Sequence, residues 1–189
     1  MTPTDHALVL TLDLVFGSLV FIFVLRILLR FSNSKSNSQI VFFIAKATNN
    51  LCTPISRFVP LNPRFDFSAL IWVITLEAVY LALRGLLEGK EFGIIQQLVL
   101  VFANTLSAFL TAWFLTIIAE AILSFIRPVQ TDRNLSFISD INRPILTPIR
   151  RFMPNMGGLD LSPIVALFII KLSEILIIGW LKILAYQWV

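Results

Sequence analysis

The sequence contains few of the residues that build catalytic or metal-binding sites. Its 189 residues include one cysteine, Cys52, and one histidine, His6. A single cysteine excludes an intramolecular disulfide, and a single histidine in the amino-terminal tail excludes a histidine-based triad, bis-histidine haem ligation and a histidine metal cluster in the membrane. Nucleophile-elbow, zincin, Walker and dinucleotide-binding motifs do not occur. We therefore expect a non-enzymatic protein with no cofactor and no metal.

Charged residues are also scarce, and hydrophobic residues are abundant. Charged residues make up 14% and hydrophobic residues 57% of the chain, whereas soluble domains have roughly a quarter and 45–50%. The mean hydropathy is +0.86. Four apolar runs of about 20 residues predict membrane spans at residues 8–31, 68–87, 104–126 and 162–188. The apolar residues 94–103 are predicted either to lie along the membrane surface or to extend a tilted helix.

A tandem duplication organises the chain. Residues 53–70 recur at 147–164 with a constant offset of 94, and eight of the eighteen aligned positions are identical. This pattern predicts two repeats, residues 1–92 and 93–189, each consisting of a helix, an amphipathic interfacial connector and a second helix. Because each repeat has an even number of spans, the repeats should be parallel. The predicted fold is an all-α membrane protein of four transmembrane helices, with both connectors on one side.

Basic residues cluster in the connectors. Nine of the fifteen lie there: Lys35, Lys46, Arg57, Arg64, Arg127, Arg133, Arg143, Arg150 and Arg151. The positive-inside rule therefore predicts that the connectors are cytoplasmic and that both termini lie outside. Since acidic residues are interleaved with these short basic segments, we expect membrane lipid rather than nucleic acid as the anionic partner.

Prolines and helix-capping residues recur in both connectors. Proline disfavours helix at the preceding residue, so the sequence predicts helix ends at Thr53-Pro54 and Thr147-Pro148, and the segments close at Pro60 and Pro154. Helices should restart at Ser68 and Ser162, which are the predicted N-caps, with Pro163 at the first helical position. Asp66 and Asp160 should lie just outside, where the helix dipole favours a carboxylate.

Arg57 and Arg151 each precede one of these aspartates by nine residues, a spacing that permits an arginine–carboxylate pair within each connector. Three interpretations are open. The residues could serve as helix punctuation alone. The arginines could also bind lipid phosphates or an anionic partner, or the segments could dock another protein.

Two pairs of opposite charges occupy equivalent positions inside the predicted spans. Glu77 corresponds to Lys171, and Arg26 corresponds to Glu120. Charges in lipid usually face a bundle interior, so we predict that both pairs form ion pairs between the repeats. The local alternatives are that Lys171 pairs with Glu174 on its own helix and that Arg26 extends to the headgroups.

The doubled connector motif resembles the YggT family of bacterial integral membrane proteins. The first copy comprises Thr53–Pro60 followed by Asp66–Ser68, and the second comprises Thr147–Pro154 followed by Gly157–Pro163. The first copy departs from the pattern, because Pro63, Arg64 and Ala69 stand where the second has Gly157, Gly158 and Pro163. The resemblance implies an inner-membrane location and roles in osmotic-shock tolerance, ion homeostasis or envelope organisation.

Three functions are compatible with these observations. The leading hypothesis is a scaffold whose connectors bind lipid or a protein partner and support the envelope under osmotic stress. The second is an ion-conducting or transporting bundle lined by Glu77, Lys171 and Glu120, which would be a homo-oligomer because four helices enclose little pore. The third is an assembly factor for another membrane complex, which the resemblance implies through plastid relatives.

Overall fold

The computed structural model describes residues 3–33, 38–59, 62–90, 92–126, 135–152 and 160–187, and within these ranges it contains helices and no β-strand. The helices are α1 (Pro3–Phe31), α2 (Gln39–Ser56), α3 (Phe67–Glu88), α4 (Ile94–Ile126), α5 (Ser136–Phe152), α6 (Ser162–Ser173), a π-helical turn (Glu174–Ile178) and α7 (Gly179–Gln187).

The four predicted spans are confirmed. In the part of the chain that the structure describes, four stretches of helix are long and apolar enough to cross a bilayer: Thr4–Phe31, Phe67–Glu88, Ile94–Ser124 and Ser162–Gln187. Helix α4 continues from Ile94 for 33 residues, so residues 94–103 extend the third span instead of lying on the membrane surface. At about 1.5 Å per residue this helix is about 50 Å long, more than a hydrocarbon core of about 30 Å requires.

Capping residues fix both ends of α3. The Asp66 side chain accepts a hydrogen bond from the Ala69 N–H, and this satisfies one of the free donors of the first turn. At the other end Gly89 adopts a left-handed conformation with φ 63° and closes the helix. The Lys90 N–H then donates to the Gly85 carbonyl at 2.9 Å, which turns the chain toward α4.

The connectors are helical through their prolines, so the predicted helix ends at Thr53-Pro54 and Thr147-Pro148 are wrong. Helix α2 contains Pro54 and ends two residues later, and α5 contains Pro148 and continues to Phe152. A proline removes one backbone donor but need not end a helix whose packing compensates. In α2 the Thr53 hydroxyl donates to the Asn49 carbonyl at 2.6 Å, next to the position where the proline leaves a carbonyl without its donor.

The two repeats pack against each other, and α1 lies near the centre of the main core. Val24, Ile27 and Leu28 of α1 are buried against Val73 of α3 and Ile141 of α5. Small residues allow close approach of the helices, and the buried alanines of the described residues are Ala69, Ala103, Ala112, Ala166 and Ala185. A second core joins α4, α5 and α6, and a third joins α3, α4 and α7.

The bundle therefore has two different ends. Helices α2 and α5 lie at one end, which we call the connector side. The short turn at Gly89 and Lys90 lies at the other end, which we call the turn side. The following sites are described relative to these two sides.

Candidate functional site

A buried aspartate on the connector side binds two arginines of α1, and one of these arginines also binds α2. The Arg26 Nε of α1 lies 2.9 Å from the Asp66 Oδ2 at the start of α3, and the Arg30 Nη1 lies 3.2 Å from the same oxygen. The other end of the Arg26 guanidinium donates to Thr48 Oγ1 and Asn49 Oδ1 of α2, both at 2.7 Å. These residues form the first charge cluster, which fastens connector α2 to both spans of its repeat.

The Asp66 carboxylate is nearly fully enclosed and well satisfied. Its side chain is 3% exposed, and the Ser68 hydroxyl donates to Oδ1 at 2.5 Å. Burial by itself raises the pKa of Asp66, but the hydrogen bonds from Ser68, Arg26 and Ala69 outweigh burial and lower the pKa to about 2. Asp66, rather than the predicted Ser68, is the N-cap, because α3 begins at Phe67 and Ser68 already lies in its first turn.

The second repeat contains an equivalent cluster in which the charge on the spanning helix is reversed. Glu120 of α4 stands at the position of Arg26 and accepts from Ser139 Oγ at 2.9 Å and from Asn142 Nδ2 at 2.7 Å. Arg150 of α5 then lies 2.8 Å from Asp160 and 4.0 Å from Glu120. We call these five residues the second charge cluster; it fastens α5 to α4 and to the start of α6.

Asp160 is more exposed than its counterpart. Its side chain is 45% exposed, and its Oδ1 accepts the Ser162 N–H at 2.9 Å. Burial raises the pKa of Asp160, but the hydrogen bonds from Ser162 and the charge of Arg150 lower the pKa by more, so the net shift is downward. The residue at the N-cap is Leu161, which lies one residue before the predicted Ser162, and Pro163 lies within the first turn.

The structure corrects the predicted arginine–aspartate pairs within the connectors. Asp66 pairs with Arg26 and Arg30 instead of Arg57, and Asp160 pairs with Arg150 instead of Arg151. A spacing of nine residues permits the predicted pairs, but it does not show which other arginines lie closer to each aspartate. For Asp66 these are on the spanning helix α1, and for Asp160 the closer arginine is the residue before Arg151 in α5.

The predicted ion pairs between the repeats are also wrong. Arg26 and Glu120 each bind within their own repeat. Lys171 lies 2.7 Å from Glu174 on its own span and 4.5 Å from the centre of the Phe114 ring. Glu77 faces α4, where it lines the same cavity as Asn104. The equivalence of the positions does not bring the opposite charges together. Arg26, Glu120 and Lys171 each have a partner within their own repeat, and Glu77 borders the cavity beside α4.

Arginine and phenylalanine are exposed at equivalent positions of the two connectors. Phe58 is 91% exposed and Phe152 is 88% exposed, each directly after an exposed arginine, Arg57 or Arg151. Among the described residues neither arginine takes part in an ion pair. These two Arg-Phe pairs are the part of the connector motif that the charge clusters leave available.

Some residues of the predicted motif cannot be placed. Pro60, Pro154, Gly157 and Gly158 lie outside the described residues. Thr147 and Pro148 lie within α5 and are not among the residues that form the second charge cluster.

Sequence reasoning missed the polar connector residues that complete the clusters. Thr48 and Asn142 are fully or almost fully buried and are separated by the repeat offset of 94. Their burial positions them against Arg26 and Glu120 respectively. The signal was present in the alignment of the repeats, since a polar residue stands at this position in both connectors.

A polar cavity of about 510 Å³ lies between α1, α3, α4 and α7 near the turn side. Its charged lining consists of Asp13, Glu77, Arg84, Glu88, Lys90 and Lys182. Of the three residues expected to line an ion pathway, Glu77 borders this cavity, whereas Glu120 belongs to the second charge cluster and Lys171 pairs with Glu174. Those three residues therefore do not share one path among the described residues.

The Asp13 carboxylate at the cavity wall is held by α3. The Tyr80 hydroxyl donates to Asp13 at 2.8 Å, and Arg84 donates to the Tyr80 oxygen at 2.6 Å.

Within the described residues, no group of three histidine, cysteine or acidic side chains is arranged to hold a metal ion.

Comparisons with known proteins agree with the repeat structure. The profile of the family described as CCB3/YggT matches residues 6–87 and again residues 99–181. An uncharacterized protein of Pseudomonas aeruginosa is 33% identical over 166 residues, which cover 86% of this chain and 84% of that protein. An uncharacterized protein of Haemophilus influenzae is 27% identical over 152 residues, covering 79% of each chain. No solved structure matches the chain. Two matches that together span most of the chain, on four membrane-spanning helices, show that this protein belongs to the CCB3/YggT family.

Proposed function

We propose that this protein is a non-enzymatic scaffold of the bacterial inner membrane whose two connectors bind anionic lipid headgroups at the cytoplasmic surface. In this role it supports the organisation of the envelope under osmotic stress. The concentration of basic residues on the connector side favours a cytoplasmic location for that side.

The observation that carries the proposal is the repeated pair of exposed residues, Arg57-Phe58 and Arg151-Phe152. An arginine can bind a phosphate through two parallel hydrogen bonds, and an adjacent phenylalanine can enter the apolar region beneath the headgroups. The neighbouring charges Arg26, Asp66 and Asp160 are occupied within the clusters. Within the described ranges, the arginines next to the exposed phenylalanines form no ion pair.

The charge clusters support this function by fixing the connectors in place. Indole groups add to the attachment, since Trp72 Nε1 donates to the Leu51 carbonyl of α2 at 2.9 Å and Trp113 Nε1 donates to the Ile141 carbonyl of α5 at 3.3 Å. A connector that is already ordered loses less conformational entropy when it binds a lipid. The two exposed Arg-Phe pairs would then bind the same area of membrane.

Lipid binding by the purified protein tests the proposal. Native mass spectrometry in detergent should show preferential retention of phosphatidylglycerol or cardiolipin over phosphatidylcholine. The double variant Arg57→Gln with Arg151→Gln should lose about 1 kcal/mol for each arginine, or roughly tenfold or more in affinity overall. The matched control, Lys171→Gln with Lys182→Gln, removes two positive charges away from the connectors and should retain the preference.

Two results would contradict the proposal. One is equal retention of anionic and neutral lipids by the unmodified protein. The other is an unchanged preference in the double arginine variant. If that variant instead loses co-purification of a specific protein while lipid binding is intact, the connectors serve a protein partner, as expected for an assembly factor.

A further inference from the structure

The polar cavity on the turn side has the size of a small-molecule site. Its volume of about 510 Å³ falls within the range of about 300–1,000 Å³ that is typical of ligand pockets. Glu77 lies at the middle of α3, eleven residues before Glu88, so the cavity extends about 16 Å into the helix bundle. This site is separate from the connectors, and the inference drawn from it goes beyond the proposed scaffold function.

The charges of the cavity divide into paired and unpaired groups. Glu88 is bound by Arg84 at 2.8 Å and by Lys90 at 2.7 Å. Asp13 accepts from Tyr80 at 2.8 Å. The two remaining charged side chains are Glu77 and Lys182, and neither forms an ion pair among the described residues.

Glu77 and Lys182 border the same cavity, one on α3 and the other on α7. Glu77 is 9% exposed, and among the described residues no basic side chain forms an ion pair with it; Asn104 of α4 lines the same cavity. A buried carboxylate with so few partners is costly inside a membrane. A cation alone at Glu77 would be repelled by the ammonium of Lys182, whereas a ligand with charges of both signs could satisfy the two groups together.

We propose that this cavity binds a small zwitterion, whose ammonium group contacts Glu77 and whose carboxylate contacts Lys182. Helix α4 supplies further polar contacts. Asn104, Ser107 and Thr111 follow helical spacing along one face of this apolar helix, and all three line the cavity. Aromatic rings of Phe16 and Tyr80, which lie 6.0 Å apart in the same wall, provide faces that attract an ammonium group.

The second repeat lacks this arrangement. Lys171 occupies the position equivalent to Glu77, is 51% exposed and pairs with Glu174. The cavity is therefore a property of one repeat together with α4 and α7, and Lys171 offers a matched position for a control substitution.

Titration of the full-length protein in lipid nanodiscs tests this proposal. The probes are glycine, γ-aminobutyrate and glycine betaine as zwitterions of different shape and charge spacing, choline as a cation, and acetate as an anion. At least one zwitterion should bind saturably and raise the melting temperature, and choline and acetate should bind at least tenfold more weakly. Glu77→Gln and Lys182→Gln should each weaken zwitterion binding about 10- to 100-fold. Lys171→Gln should change it less than twofold.

Several outcomes would overturn the proposal. Absence of saturable binding by all three zwitterions is one. Binding of choline with equal affinity, together with no effect of Lys182→Gln, would identify a cation site instead. Lys182 is exposed and its substitution should not impair folding, so this variant decides the result even if Glu77→Gln does not fold. None of these outcomes depends on lipid binding by the connectors.

Discussion

The two charge clusters perform the same structural task with different charges. In the first repeat, the spanning helix supplies a cation, Arg26, that binds Asp66 directly. In the second repeat the equivalent residue is Glu120, and Arg150 of the connector binds Asp160 and approaches Glu120. The position of Arg150 corresponds to Ser56 in the first repeat. Duplication has therefore kept the attachment of connector to spans while the residue that supplies the positive charge has moved from one helix to another.

The clusters also differ in burial. The Asp66 side chain is 3% exposed and the Asp160 side chain is 45% exposed. A buried charge that loses its partner is strongly destabilising, whereas an exposed ion pair contributes little. The first connector should therefore depend on its cluster far more than the second.

The largest effect should follow from reversing the charge at Arg26. Arg26→Glu places a second carboxylate next to Asp66 and should lower the free energy of unfolding by at least about 3–5 kcal/mol. Adding Ser56→Arg restores the arrangement of the second repeat and should recover much of the loss. Ser56 is suitably placed, since it borders a small pocket together with Arg30 and Ser68. Thermal unfolding in detergent measures both changes; a double variant no more stable than Arg26→Glu would show that the clusters are not interchangeable.

Acid should weaken the first cluster by a smaller amount. The pKa of Asp66 is about 2 in the folded protein and 3.8 in an unfolded chain, so its carboxylate stabilises the fold above pH 3.8. This contribution, roughly 2 kcal/mol, is lost as the pH falls from 3.8 through about 2. Unfolding measured between pH 5 and 2.5 should show the decrease in the unmodified protein and a smaller one in Asp66→Asn.

The smallest effect is expected in the second cluster. Asp160→Asn should lower the free energy of unfolding by about 0–1 kcal/mol, because solvent screens the exposed pair with Arg150. Below pH 4 the free energy of unfolding of Asp160→Asn should change with pH as it does in the unmodified protein. A loss as large as that of a buried charge would mean that Asp160 is enclosed in the membrane and would remove the contrast between the repeats.

The architecture was predictable from the sequence because each span carries its own signal. Apolar runs of sufficient length identify the four membrane helices, and the offset of 94 identifies their equivalence. Prolines misled the prediction of the connectors, since α2 continues through Pro54 to Ser56 and α5 continues through Pro148 to Phe152. Backbone rules describe what proline removes, but the tertiary environment decides whether the helix ends.

The charge partners were not predictable to the same degree. The sequence indicates that Arg26 and Glu120 lie at the same depth, but it does not show which helix faces each of them. The contacts depend on the rotation of α1 and α4 about their axes and on the placement of α2 and α5 beneath them. The cavity is less predictable still, because Glu77 and Lys182 are more than one hundred residues apart in the sequence and border one cavity only because α3 and α7 both pack against α4.

The central claim is that each intramembrane charge near the connectors is neutralised within its own repeat. Double-mutant cycles with Arg26→Gln, Asp66→Asn and Glu120→Gln test it most directly, with the free energy of unfolding as the readout. The structure predicts a coupling energy of about 1–3 kcal/mol between positions 26 and 66 and no more than about 0.5 kcal/mol between positions 26 and 120. A larger coupling between 26 and 120 than between 26 and 66 would contradict the account.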